Sequence, residues 1–153
     1  MADYENIIAR AARLCSTAEK CTHDIRDKLV SWGLDEQQAD KALHYLKENK
    51  FIDDSRFAHY FVRDKLKFNK WGRIRISYAL RQKQLPDEVI REAMETIYEE
   101  NYFEILDQLI LQKIRSTGNP ELPANKAKIL RFAAQKGFTS DEIFNSLDRI
   151  KKS

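Results

Sequence analysis

Apolar residues recur at intervals of three and four along most of the chain. Ile25, Leu29 and Trp32 show this spacing, and so do Ile76, Ala79 and Leu80. Positions three and four residues apart share one face of a helix, so each run predicts an amphipathic helix. No segment alternates apolar and polar residues with the period of two that a half-buried strand requires. The pattern therefore predicts an all-α protein.

The helical pattern is itself repeated three times. Offsets of 51 and then 53 residues bring Ile25, Ile76 and Ile129 into register. Six positions are apolar in all three copies: Ile25/Ile76/Ile129, Leu29/Leu80/Ala133, Leu34/Leu85/Phe138, Ala39/Ile90/Ile143, Leu43/Met94/Leu147 and Leu46/Ile97/Ile150. A period of this length indicates a repeat architecture.

Turn signals separate the helices within each copy. Gly33 and Gly137 suit the left-handed position that ends a helix, and Asp35 and Thr139 are good N-caps for the helix that follows. A further amphipathic stretch precedes each copy, which gives nine helices. We therefore expect three tandem three-helix repeats, at 1–52, 53–100 and 101–153, that stack into an elongated, curved helical array.

Composition narrows the class of protein. The 153 residues are 42% hydrophobic and 33% charged, which is typical of a globular chain and not of a disordered one. Charged residues interrupt the apolar N-terminal stretch, and no apolar run reaches the length of a membrane span. We therefore expect a cytoplasmic protein that does not contact the membrane. We also expect it to be a monomer.

The sequence offers little for catalysis or for binding a cofactor or metal. Cys15 and Cys21 have neither redox nor zinc spacing, and Cys15 lies on an apolar helical face, which predicts a buried thiol. The three histidines lie apart, and no phosphate-binding loop, metalloprotease motif or nucleophile elbow is present. We expect no enzyme activity, no cofactor and no metal.

Two adjacent carboxylates in the segment FIDDSRFA are the strongest candidate for acid–base chemistry, but they also fit a helix start. Asp53 can act as N-cap, and Asp54 in the first turn favours the positive end of the helix dipole. Ile52 and Phe57 then occupy the two positions of a hydrophobic staple. We therefore assign Ile52, Asp53, Asp54 and Phe57 a structural role, with no catalytic residue.

Positive charge is concentrated in the middle of the chain. Residues 65–83 contain seven Lys/Arg and no acid. Opposite the apolar residues lie Arg63 and Lys67 on one predicted helix and Arg73 and Arg81 on the next, and Lys70 lies at the corner between the two helices. We name these five residues the basic stripe. Such a row is either a solvated helix face or a surface that neutralises the phosphates of an anionic partner. Phe68 and Trp71, at the corner between two predicted helices, are expected in the core.

The stretch from Phe51 to Leu85 resembles the middle repeat of the RecX family. The residues that carry the resemblance are Ile52, Asp53, Asp54, Arg56, Phe57, Ala58, Phe61, Val62, Arg63, Gly72, Ile76, Leu80 and Lys83. Lys50 and Gln84 stand where the family often has glycine. Members of the family are tandem three-helix repeats, so the resemblance extends to the whole chain.

The resemblance implies a non-enzymatic regulator of the RecA recombinase. Such a protein binds in the groove of the RecA filament on single-stranded DNA. It mainly inhibits ATP hydrolysis, filament extension, strand exchange and cleavage of the SOS repressor. The basic stripe would then face the filament, and direct contact of the middle repeat with single- or double-stranded DNA stays open.

Two other functions compete with this interpretation. A helix-turn-helix transcription regulator would explain the paired helices. Its recognition helices would lie at residues 35–48 and 86–99, and both segments are acidic, which disfavours insertion into the major groove of DNA. A purely protein-binding helical adaptor would show no salt-sensitive affinity for nucleic acid.

Overall fold

The computed structural model describes residues 3–153, and over that range the chain is helical with no strand. The helices are α1 Tyr4–Thr17, α2 Thr22–Ser31, α3 Glu36–Glu48, α4 Asp54–Lys67, α5 Arg73–Gln82, α6 Asp87–Glu95, α7 Tyr102–Thr117, α8 Pro123–Lys136 and α9 Ser140–Lys152. A 3₁₀ turn, Thr96–Glu100, lies between α6 and α7. The predicted all-α class is confirmed.

The chain divides into two compact units. Unit 1 comprises Met1–Tyr60 and Leu80–Ile90, and unit 2 comprises Phe61–Ala79 and Arg91–Ser153. Helices α4, α5 and α6 are each shared between the two units, whereas α1–α3 belong to unit 1 and α7–α9 to unit 2. The three-repeat boundaries stay a prediction.

Unit 1 is built around helices α1, α2 and α3, which pack against one another. Its core is aliphatic, with Ala11, Leu29 and Leu46 fully buried. Gly33 ends the α2 segment with a φ of 110°, a conformation that glycine adopts without a side-chain clash. Asp35 caps α3 by accepting a hydrogen bond from the Gln38 backbone N–H at 2.8 Å, so the predicted N-cap is confirmed.

In unit 2, helices α7, α8 and α9 also pack against one another. As in unit 1, a glycine ends one helix and a side-chain cap begins the next. Gly137 ends α8 with a φ of 106°. Thr139 caps α9, since its hydroxyl accepts from the Glu142 N–H at 3.1 Å, and the Glu142 carboxylate accepts from the Thr139 N–H at 2.8 Å. This reciprocal pair is a capping box.

The aligned apolar positions form much of the core. Four of the six are buried in all three copies: Ile25/Ile76/Ile129, Leu29/Leu80/Ala133, Leu34/Leu85/Phe138 and Ala39/Ile90/Ile143. Cys15 and Cys21 are free and buried, as predicted for Cys15. Burial raises the pKa of the Cys21 thiol to about 11.

Residues 3–153 contain neither a candidate membrane span nor a cluster of candidate metal ligands. None of the helices in this range is both long and apolar enough to cross a bilayer. In the same range, no three His, Cys, Asp or Glu side chains are grouped as metal ligands.

Candidate partner-binding surface

Two residues of the basic stripe, Arg63 and Lys67, lie on α4 and pair with one carboxylate of unit 2, that of Glu100. Arg63 Nε lies 3.4 Å from Glu100 Oε1, and Lys67 Nζ lies 2.7 Å from Glu100 Oε2. The hydrogen bond from Lys67 and the charges of both cations hold the pKa of Glu100 below its usual range. Glu100 therefore stays ionised and offsets part of the positive charge of this row.

Arg73, at the start of α5, is paired with a carboxylate that is almost buried. Its Nε lies 3.2 Å from Glu142 Oε2, and the other oxygen of Glu142 accepts from the Tyr102 hydroxyl at 3.1 Å. The Tyr102 oxygen in turn accepts from the Arg73 backbone N–H at 3.0 Å. Burial raises the pKa of Tyr102, so its hydroxyl keeps its proton. Arg73 thus stabilises the fold of unit 2.

The remaining two stripe residues differ from these. Lys70 is exposed and has a φ of 57°, and its ammonium donates to the backbone carbonyl of Lys67. Arg81 is exposed near the end of α5 and belongs to unit 1. The structure therefore brings Arg63 and Lys67 together around Glu100, and it ties Arg73 to a separate hydrogen-bond network.

The corner between α4 and α5 differs from the sequence prediction. Phe68 is 82% exposed, so its expected place in the core is wrong. The reason is that α4 ends at Lys67, and a residue beyond the last turn does not follow the apolar face of the helix. Trp71 is half-buried.

The paired carboxylates of FIDDSRFA have separate structural roles in unit 1. Asp53 Oδ1 accepts from the Arg56 N–H at 3.0 Å, which is the geometry of an N-cap on α4. Asp54 reaches the start of α2, where its carboxylate accepts from the Thr22 N–H at 2.8 Å and the Thr22 hydroxyl at 2.9 Å. Asp54 therefore joins the first turns of two helices, a role that its position in the sequence did not indicate.

The other residues of this segment also hold unit 1 together. Ile52 and Phe57, on either side of the cap, are 2% and 7% exposed. Arg56 Nε donates to Glu19, 2.8 Å from Oε1, and its Nη2 donates to the Lys50 carbonyl at 3.1 Å. Lys50 has a φ of 63°, a left-handed conformation that is costly for a residue with a side chain.

A second set of basic residues in unit 2 escaped the sequence prediction. The Arg75 guanidinium lies 4.2 Å from the centre of the Trp71 ring and donates to the Gln135 carbonyl at 3.4 Å. Lys136 donates to the Asn69 carbonyl at 3.2 Å. Lys136 also lies 6.0 Å from the Phe132 ring centre, and Lys113 lies 4.8 Å from it.

Two glycines allow this arrangement. Gly72 N–H donates to the Lys136 carbonyl at 2.7 Å, and Ile74 N–H donates to the Gly137 carbonyl at 3.0 Å. A Cβ atom on Gly72 would lie 2.4 Å from the Gly137 carbonyl carbon, so only glycine permits this approach. The basic start of α5 is thereby attached to the end of α8.

Comparison with known proteins places the chain in a family. Residues 53–94 match the family model of the second three-helix domain of RecX, and residues 99–147 match that of the third. Together these two matches cover more than half of the chain. The chain belongs to the RecX family.

Curated RecX proteins are similar over most of this chain. Regulatory protein RecX of Clostridium botulinum is 39% identical over 127 residues, which cover 81% of this chain and 58% of the relative. That of Clostridium tetani is 28% identical over 142 residues, which cover 92% of this chain and 65% of the relative. This chain therefore spans about three fifths of the length of these two RecX proteins.

A solved RecX structure has the same fold. The crystal structure of RecX from Lactobacillus salivarius superposes with a TM-score of 0.85, covering 98% of this chain and 97% of the other, at 19% identity. At that identity the likeness concerns the fold alone, and it supports a helical repeat array.

Proposed function

We propose that this protein regulates the RecA recombinase by binding to the RecA filament on single-stranded DNA, without catalysing a reaction. The observation that carries the proposal is the match of residues 53–94 and 99–147 to two consecutive RecX domains. In this proposal the bound protein inhibits ATP hydrolysis by RecA, and it also limits filament extension, strand exchange and SOS coprotease activity. The filament forms on DNA, so the regulator works in the cytoplasm.

The basic stripe is the candidate contact with RecA, but its members differ in how easily they can bind a partner. The side chains of Arg63 and Lys67 are 59% and 47% exposed, and an ion pair at that exposure contributes at most about 1 kcal/mol. These two cations can therefore exchange Glu100 for a carboxylate of RecA at little cost. Lys70 and Arg81 are also exposed.

Arg73 belongs in a different class from the other four. Its partner Glu142 has a side chain that is only 11% exposed, so replacing Arg73 would leave a buried carboxylate without its cation. A loss of function in an Arg73 variant would therefore report lost stability as well as lost contact. Variants that test the RecA contact should retain Arg73.

ATP hydrolysis by the cognate RecA on single-stranded DNA tests the proposal. We expect the parent chain to lower the rate, and the double variant Arg63→Glu/Arg81→Glu to inhibit more weakly while keeping the helical circular dichroism of the parent. The control is Arg13→Glu/Lys47→Glu, which reverses the same number of exposed charges in unit 1 outside the stripe. An undiminished rate with the parent chain would refute RecA regulation, and equal inhibition by parent and stripe variant would refute the assignment of the stripe.

A further inference from the structure

Unit 2 contains two segments that are rich in basic residues and free of acidic ones. The first is the part of the 65–83 block that lies in unit 2, and the second is 122–140, which has four Lys/Arg and no Asp or Glu. The hydrogen bonds from Gly72 to Lys136 and from Ile74 to Gly137 attach one segment to the other. Positive charge that is distant in sequence is thereby brought onto one face.

The cations of this face follow a row along α8. Lys128, Arg131, Phe132, Gln135 and Lys136 have the spacing i, i+3, i+4, i+7 and i+8, which places them on one side of the helix. Arg75 extends the row through its bond to the Gln135 carbonyl, and Lys113 reaches it from α7 through the Phe132 ring. The basic belt is defined as Arg75, Lys113, Lys128, Arg131 and Lys136.

The belt differs from the basic stripe in what its cations contact. Within residues 3–153, none of the five belt cations forms an ion pair with a carboxylate. Arg75, Lys113 and Lys136 contact aromatic rings and backbone carbonyls instead, and these neutral groups orient a cation without cancelling its charge. The belt therefore keeps the positive charge that the Glu100 and Glu142 pairs offset in the stripe.

We propose that the basic belt is a binding site for the sugar–phosphate backbone of a single-stranded nucleic acid. The eight-residue step from Lys128 to Lys136 spans about 12 Å at 1.5 Å per residue, so the row is long enough for its cations to contact more than one phosphate of the same strand. A row of unpaired cations gains affinity by releasing counterions from those phosphates.

An exposed aromatic ring favours a single strand over a duplex. Phe68 is 82% exposed and precedes Asn69, whose carbonyl binds Lys136. A ring in that position can stack on an unpaired base, whereas the bases of a duplex are already stacked on each other. An acidic protein surface would pair with the same cations, and competition with polyglutamate, which has no base to stack on Phe68, distinguishes it from a nucleic acid.

The inference deepens the proposed function, because it gives a filament regulator a direct contact with the DNA strand. Its test contains no RecA, so it can fail or succeed independently of the ATPase result. The assay measures fluorescence anisotropy of a labelled oligothymidylate with the full chain over a range of salt concentrations. The double variant Lys128→Gln/Arg131→Gln removes two exposed belt cations, and Arg13→Gln/Lys47→Gln is the control with the same change of charge in unit 1.

The belt variant should bind oligothymidylate about tenfold more weakly than the parent. The plot of log K against log salt should become less steep by about 1.4, which is about 0.7 for each lost phosphate contact. The control variant should match the parent. Phe68→Ala should weaken binding of the single strand but not that of a duplex. Thermal unfolding of all three variants should match the parent, because the changed side chains are exposed.

Four outcomes would overturn the inference. The parent chain could lack salt-dependent affinity for oligothymidylate, or the belt and control variants could weaken equally, which would indicate net charge alone. A duplex of the same length could bind as tightly as the single strand, with no effect of Phe68→Ala. Polyglutamate of equal charge could displace the oligonucleotide as effectively as unlabelled oligothymidylate does, which would indicate an acidic protein partner.

Discussion

The basic stripe and the basic belt contain similar numbers of cations on the surface of helices, yet their net charges differ. In the stripe, Arg63 and Lys67 share Glu100, and Arg73 is bound to Glu142. In the belt, Arg75 and Lys136 are oriented by rings and carbonyls, which carry no net charge. We infer that the ability of a basic row to bind a polyanion depends on which acids the fold brings to it, and not on the number of basic residues alone.

The attachment of α5 to α8 is the feature on which the belt depends most. Gly72→Ala would place a methyl group 2.4 Å from the Gly137 carbonyl carbon, so the two backbones must separate. We expect the free energy of unfolding to fall by about 3 kcal/mol, and affinity for oligothymidylate to fall with it as Arg75 leaves Gln135. Chemical denaturation and anisotropy measure the two effects.

A matched glycine variant controls for this substitution. At Gly118, which has a φ of 114° and a ψ of −169°, a Cβ atom would meet only the Asn125 side chain at 3.1 Å. Alanine in this sparsely populated region costs about 1–3 kcal/mol but displaces no neighbouring backbone. Gly118→Ala should therefore be the milder change and should leave the belt intact. If Gly72→Ala proved no more destabilising than Gly118→Ala, the close approach of α5 and α8 would be disproved.

The N-cap of α4 should affect stability but not the belt. Asp53→Ala removes the acceptor of the Arg56 N–H, which should lower the free energy of unfolding by about 1 kcal/mol. Asp53→Asn retains a cap and should lower the free energy of unfolding by only about a few tenths of a kcal/mol. Urea denaturation measures both variants, and equal stability of the alanine and asparagine variants would argue against the cap.

Removing the Glu100 carboxylate should make the stripe resemble the belt in its available positive charge. Glu100→Gln leaves Arg63 and Lys67 without their acidic partner, so a polyanion gains two available cations. We expect affinity for oligothymidylate to rise about two- to threefold and the salt slope to steepen by up to about 1.4. Stability should change by less than about 1 kcal/mol, because both cationic partners of Glu100 are exposed to solvent. An unaltered slope would mean that Glu100 does not neutralise the stripe.

Local rules predicted most of the fold from the sequence. The spacing of apolar residues predicted the nine α-helices that the structure describes within residues 3–153. Asp35 and Thr139 were identified as caps because a cap depends on residues within one turn. The left-handed glycines Gly33 and Gly137 followed from the same local chemistry.

The parts of the candidate surface that escaped prediction depend on contacts between distant residues. Glu100 lies 37 residues beyond Arg63, and Glu142 lies 69 residues beyond Arg73, so no local pattern links them. The exposure of Phe68 depends on where α4 ends, and a difference of one residue changed its environment. The acid-free run 122–140 was the one signal in the sequence that could have indicated the belt.

Regulation of RecA by this protein can be measured as ATP hydrolysis by the cognate RecA on single-stranded DNA, titrated with the parent chain and with Lys128→Gln/Arg131→Gln at low and high salt. We expect the parent to lower the rate and the belt variant to require a higher concentration for the same inhibition. The difference between them should narrow at high salt. A rate that the parent chain leaves unchanged at every concentration would contradict RecA regulation by this protein.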